Sequence, residues 1–115
     1  MKHTLKLSAL LADGDELGRL EVFALLSLGV VESLINGAMT SDDAIAVFFH
    51  AQNCLFVRKH VRNDVADEVM SRGVQLHDLF EALSEQEAQQ EFQRELRKMS
   101  SLCLQLLDHA QQTAA

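Results

Sequence analysis

The chain has 115 residues, of which 48% are hydrophobic and 23% charged, and it contains five glycines and no proline. A chain of this length is usual for one domain and can bury its own core, so we expect a single domain over residues 1–115. The formal net charge of −7 argues against nucleic-acid binding, because such proteins need a basic surface. The longest apolar stretch, residues 22–31, is too short to cross a bilayer.

The two cysteines, Cys54 and Cys103, lie far apart and lack a Cys-x-x-Cys spacing. Two small, reduced apolar thiols are typical of proteins in a reducing compartment. The N-terminus carries lysines, but its apolar run is short and soon followed by acids, unlike a secretory signal. We therefore expect a cytoplasmic protein.

The first half of the chain predicts helices. Residues 3–11 carry a weak helical pattern, and residues 15–36 a strong one, with Ser27 as the only polar side chain between Val22 and Val31. A helix that is apolar nearly all round belongs at the centre of a bundle. We therefore expect Leu25 and Leu28 to be buried, and a close neighbouring helix to explain the glycine at position 29, which costs about 1 kcal/mol relative to alanine.

The next segment predicts an antiparallel helical hairpin. Asn36-Gly37 resembles a helix C-terminus, and Thr40 and Ser41 offer an N-cap for a helix that begins near Asp42. This helix either breaks at Gln52-Asn53 and resumes to about residue 60, or continues without a break.

The second half predicts two short helices and a long one. Asn63 caps a helix over residues 64–72 that Gly73 stops, and a second short helix covers residues 75–83. A capping box at Ser84–Glu87 begins a last helix that runs to about residue 110. Its apolar seam alternates steps of four and three: Phe92, Leu96, Met99, Cys103, Leu106 and Ala110. The sequence thus predicts an all-α, single-domain bundle of four to five helices, with a central apolar helix and a long C-terminal helix.

The stretch from Leu28 to Phe49 resembles a known family. It reads Leu-Gly-x-x-Glu-Ser-Leu-x-Asn-Gly from position 28, then Ser-Asp-Asp-Ala from position 41, then the pair Phe48-Phe49. This pattern is similar to that of small helical bacterial proteins of unknown function. The resemblance implies a small bacterial helical protein and carries over no catalytic residues.

Three groups of residues suggest binding chemistry. His50 and Cys54 are four residues apart and could form half of a zinc site. The dipeptide His77-Asp78 is similar to the metal-binding pair of helical phosphohydrolases, and a single dipeptide also arises often by chance. A third group is a basic cluster that could hold a phosphate or an acidic partner, or could simply be the solvated end of a helix: Arg58, Lys59 and Arg62.

The sequence supports two functional hypotheses. The first is a non-enzymatic helical protein, without metal or cofactor, that acts through contact with a protein partner, for example as an immunity or antitoxin-like inhibitor whose acidic face fills a basic cleft. The alternative is a small metal-dependent hydrolase built from the following residues: His60, His77, Asp78 and Asp108.

Self-association is also predicted, because the last helix has an apolar face that one small bundle could leave partly uncovered. We expect a two-fold dimer with Leu102 or Leu107 at its centre. The segment between Phe48 and Phe56 is the other surface that could carry the interface.

Overall fold

A computed structural model describes the backbone of residues 3–114 and the side chains of residues 3–112. All the regular secondary structure in this part of the chain is helical and there is no strand, which confirms the all-α prediction. The predicted four to five helices are too few, because caps divide the middle of the chain into short pieces. The helices are α1 (Leu7–Leu10), α2 (Glu16–Ile35), α3 (Ser41–Val47), α4 (Ala51–Phe56), a π-helical segment (Val57–Val61), α5 (Asp64–Gln75), α6 (Asp78–Ala82) and α7 (Glu85–Ala114). None of them is long and apolar enough to cross a bilayer.

Local capping fixes both ends of α2 and the start of α3 as predicted. The Asp15 carboxylate accepts a hydrogen bond from the Gly18 amide at the start of α2, and Gly37 follows its end with a positive φ of 75°. At the start of α3, Thr40 and Asp43 form a reciprocal capping box. These side chains satisfy amides that have no partner within the helix.

The break between α3 and α4 lies at residues 48–50 and not at Gln52-Asn53. His50 is the N-cap of α4, and its side chain accepts a hydrogen bond from the Asn53 amide. From there α4 runs directly into the π-helical segment, which ends at Arg62 in the left-handed conformation with a φ of 54°. Asn63 then caps α5 through Val65 and Ala66.

Gly73 does not stop a helix, because α5 continues through it to Gln75. A Cβ atom at Gly73 would lie 2.3 Å from the Cδ1 atom of Phe49. The glycine therefore allows α5 to pack directly on the Phe49 ring, which is itself buried and edge-on to Phe48. The sequence pattern identified the glycine but not its role.

The core is built mainly on an antiparallel pair formed by α2 and α7. Ser27 Oγ and Cys103 Sγ are 3.3 Å apart at the middle of the pair. Further along, Leu34 near the end of α2 and Phe92 near the start of α7 line the same hollow. The predicted seam of α7 is buried along its whole length, together with Ala88.

The prediction that α2 is buried on all sides is wrong. Leu25 is 51% exposed, Leu28 is partly buried, and a Cβ atom at Gly29 would meet nothing within 4 Å. Close packing therefore does not explain Gly29. Only one stripe of α2 is buried, facing α7 and the middle helices: Leu20, Phe23, Ala24, Ser27, Val30, Val31 and Leu34.

Candidate functional site

The four residues of the hydrolase hypothesis lie in different places. His77 and Asp78 each line a separate hollow, His60 packs on Phe56 near the end of the π-helical segment, and Asp108 lies far along α7. Within the described residues, no group of three or more His, Cys, Asp or Glu side chains is placed to hold a metal ion. These four residues do not form the predicted site.

His77 instead joins two helices. Its Nδ1 atom is 2.9 Å from Asp42 Oδ1 at the start of α3, and its Nε2 atom is 3.1 Å from Glu81 Oε1 on α6. Both ring nitrogens face carboxylate oxygens, so both contacts are satisfied when the imidazole carries two protons. Exposed pairs of this kind contribute little to stability.

The half of a zinc site considered for His50 and Cys54 is also not formed. Both nitrogens of His50 are used: Nδ1 accepts from the Asn53 amide, and Nε2 lies 2.9 Å from the carbonyl oxygen of Leu5. Burial raises the pKa of the Cys54 thiol, with the charge of Arg58 acting in the opposite direction.

The basic cluster is divided between two surfaces. Lys59 and Arg62 line a shallow hollow with Glu16 and Arg19, whereas Arg58 faces the acidic side of α5. The Arg62 side chain donates a hydrogen bond to the Lys59 carbonyl at the helix end. This arrangement favours the interpretation as a solvated helix end, where cations meet unpaired carbonyls.

The predicted interface residues are less exposed than expected. Phe48 is fully buried between Phe23 and Phe49 and offers no outer surface, and Phe56 is partly buried. Leu102 and Leu107 are both partly buried against the core. Since they are five residues apart, they lie about 140° apart around α7 and cannot share the centre of one interface.

Two exposed leucines, Leu25 and Leu104, lie near two partly buried ones, Leu28 and Leu107, along the α2–α7 pair. Ile35 of α2 and Gln93 of α7 line the same hollow, which places them on one side. Leu28 lies about two turns from Ile35 on α2, and Leu104 lies about three turns from Gln93 on α7. Each leucine is therefore on the same face of its helix as the residue that lines the hollow. Leu25 and Leu107 flank them, and we define the α2–α7 strip by four residues: Leu25, Leu28, Leu104 and Leu107.

The strip is accessible in the middle. Leu25 is 51% exposed and Leu104 is 52% exposed, and both lie within two residues of the Ser27–Cys103 contact along their helices. At one end the strip approaches the hollow of about 440 Å³ that Ile35 and Gln93 line. The sequence pattern contained this signal, because Leu25 and Leu104 both lie outside the period that the buried positions follow.

A second surface is occupied by the N-terminal segment, which we call the arm and define as residues 3–11. The predicted helix over this segment is reduced to α1, and Lys6 before it has an extended backbone. Asn53, only 1% exposed, accepts a hydrogen bond from the Leu7 amide and donates one to the carbonyl of Leu5 and one to that of Phe48. Asn53 directly precedes an apolar run, residues 54–57, and this was the signal for its role, because buried amides need hydrogen-bond partners.

One comparison with known proteins gives a match. A family model described as a protein of unknown function (DUF3969) matches residues 16–115, which include every helix except α1. No curated protein matches the chain, and no solved structure matches it. The match covers most of the chain, and the chain therefore belongs to DUF3969, a family of proteins of unknown function.

Proposed function

We propose that this domain acts through protein–protein contact and that it forms a two-fold homodimer through the α2–α7 strip. The observation that carries the proposal is the exposure of two leucines, Leu25 on α2 and Leu104 on α7, close to the Ser27–Cys103 contact along the longest helix pair. Joining two copies removes apolar surface from water, which stabilises an assembly by about 25 cal/mol for each Å² buried. A second copy brings a surface of the same kind, as a two-fold interface requires.

The charges beside the strip support a second copy as the occupant. Glu32 and Arg97 are exposed and form no ion pair within the described residues. Counted from the Ser27–Cys103 contact, both lie toward the same end of the antiparallel pair. If the two-fold axis runs along the helices, α2 of each copy lies over α7 of the other. Arg97 then faces the partner's Glu32, and symmetry forms this pair twice.

Sedimentation equilibrium at tens of micromolar tests the proposal. We expect the wild type to be dimeric, and Leu25→Glu and Leu104→Glu each to give a monomer, because a carboxylate buried between two apolar faces is costly. The matched control is Leu55→Glu on α4, where a leucine is similarly exposed at 48% but lies outside the strip. Circular dichroism should show that all three variants keep the helical content of the wild type.

A charge exchange tests the orientation. Arg97→Glu should weaken the dimer, and combining it with Glu32→Arg should restore the affinity, since the exchanged charges attract again. A wild type that remains monomeric at these concentrations would overturn the self-association. A dimer that survives both leucine substitutions would show that the interface lies elsewhere.

A further inference from the structure

The arm is held the way a peptide is held by a recognition domain. Its residue Leu5 uses both backbone groups: the amide donates to the Val47 carbonyl at 2.8 Å, and the carbonyl accepts from Asn53 at 3.0 Å. The His50 ring contacts the same carbonyl at 2.9 Å. The Leu7 amide then donates to Asn53, so that one buried amide side chain contacts the backbone on both sides of Lys6.

Two kinds of contact therefore set what this surface accepts. The hydrogen bonds are made with the backbone of an extended segment. They do not involve the side chain at position 6, which is exposed. Apolar side chains give the selectivity, because Leu7 is fully buried, Leu11 is 3% exposed and Leu5 is packed against the core. Backbone hydrogen bonds together with pockets for alternate side chains are the means by which extended peptides are recognised.

The receiving surface, which we call the arm groove, is formed by residues 46–53. Asn53 and His50 of the groove lie within the part of the chain that the family shares, whereas the arm lies before it. When the arm leaves, Asn53 loses two of its three hydrogen-bonding partners and the surface that covers Leu7 becomes exposed. A buried polar group without a partner is costly, so the arm groove favours a replacement with the same chemistry.

We propose that the arm groove is a binding site for an extended segment of a protein partner with leucines at alternate positions, and that the arm is a built-in competitor for it. The arm and the groove belong to one folded chain, so the arm competes with a partner segment without having to diffuse to the site. A partner segment must therefore bind the groove more tightly than the arm does in order to displace it. The site is separate from the α2–α7 strip and does not depend on the proposed dimer.

The test uses the full chain and a fluorescent synthetic peptide with the sequence of residues 3–12. In the variant Leu5→Ser/Leu7→Ser the arm competes poorly, and we expect fluorescence anisotropy to show that it binds the peptide at least tenfold more tightly than the wild type. The control Lys6→Ser changes an exposed arm residue and should bind like the wild type. Adding Asn53→Ala to the double variant, or replacing the second leucine of the peptide by aspartate, should abolish binding.

The double variant must first show the helical circular dichroism of the wild type. A folded double variant that binds the peptide no better than the wild type would overturn the proposal. Exchange of arms between two copies would also overturn the proposal, because the occupant of the groove would then be a second copy. It would be seen as a dimer that Leu5→Ser/Leu7→Ser abolishes and Leu104→Glu preserves.

Hydrogen exchange of the wild type gives a measurement that does not depend on the variants. The amides of Leu5 and Leu7 should exchange faster than those of α7 around Cys103, because the arm must open without global unfolding. Equal protection of the two regions would also overturn the proposal.

Discussion

Two glycines in helices have opposite surroundings. At Gly73 an added Cβ atom would lie 2.3 Å from a ring carbon of Phe49, whereas at Gly29 nothing lies within 4 Å. We expect Gly73→Ala to lower the free energy of unfolding by about 1–3 kcal/mol, because overpacking exceeds the gain in helix propensity. Urea unfolding measured by circular dichroism checks this.

Gly29→Ala is the matched control, since it makes the same chemical change in the middle of α2. It should raise the free energy of unfolding by about 0.5–1 kcal/mol, the difference in helix propensity between the two residues. If both substitutions stabilise the protein, α5 does not pack on Phe49 as described.

The two thiols should be poorly reactive. Burial raises the pKa of Cys103, with the hydrogen bond to Ser27 acting in the opposite direction, and burial also raises the pKa of Cys54. Thiol reagents act on the thiolate, so labelling at pH 7.5 should be slower than for a free cysteine. Cys103 should be the slower of the two, because it is fully buried.

The same shifts predict a loss of stability at alkaline pH. A thiol with a raised pKa in the folded protein keeps its full contribution to stability below the pKa of an unfolded thiol, about 8.5, and loses it as the pH rises further. The urea midpoint should therefore fall between pH 8 and pH 10. The fall in the urea midpoint should be smaller in the double variant Cys54→Ala/Cys103→Ala. An equal fall would mean that titratable groups other than the two thiols cause the loss of stability.

At the scale of the helix, only one side of α2 should be sensitive to truncation. Leu34 is 2% exposed, and we expect Leu34→Ala to cost about 2–5 kcal/mol of unfolding free energy. Leu25 is half exposed, and Leu25→Ala should cost less than about 1 kcal/mol in the monomer. Urea midpoints at low micromolar concentration, with unchanged slopes, measure both. Equal costs would mean that Leu25 is buried.

The sequence predicted what depends on neighbouring residues. The N-cap at Thr40, the Asn63 cap of α5 and the seam of α7 all follow from patterns within one or two turns, and the structure confirms them. It predicted less well what depends on distant residues. The contact of Gly73 with Phe49 and the bonds from Asn53 to the arm join segments that are far apart in the chain.

The outer side of α2 shows why composition misled the prediction. A nearly continuous apolar run indicated burial on every side, but the number of helices able to cover it is set by the fold. The structure places α7 and the middle helices on one side only, which leaves Leu25 in solvent. The sequence therefore placed Leu25 in the core, whereas the structure leaves it half exposed.

For the whole molecule, a single domain remains a prediction that unfolding can test. The Cα radius of gyration is 14.0 Å, close to the value of about 13 Å expected for one compact domain of this length. Because α2 and α7 pair at Ser27 and Cys103, secondary structure and thiol burial should be lost together. Circular dichroism and Cys103 labelling in Cys54→Ala, followed through a urea titration, should give one midpoint. Two separate midpoints would show that the chain unfolds as more than one domain.

The pairing of α2 with α7 also has a consequence during synthesis on the ribosome. The helix α2 is complete when residue 35 has been added, but its main partner begins only at Glu85. At about 5–20 residues per second, several seconds pass before α7 is made. During that time the stripe from Leu20 to Leu34 has no cover from α7, and it is available to chaperones or to other nascent chains. A chain stopped before Leu96 would retain this exposure permanently.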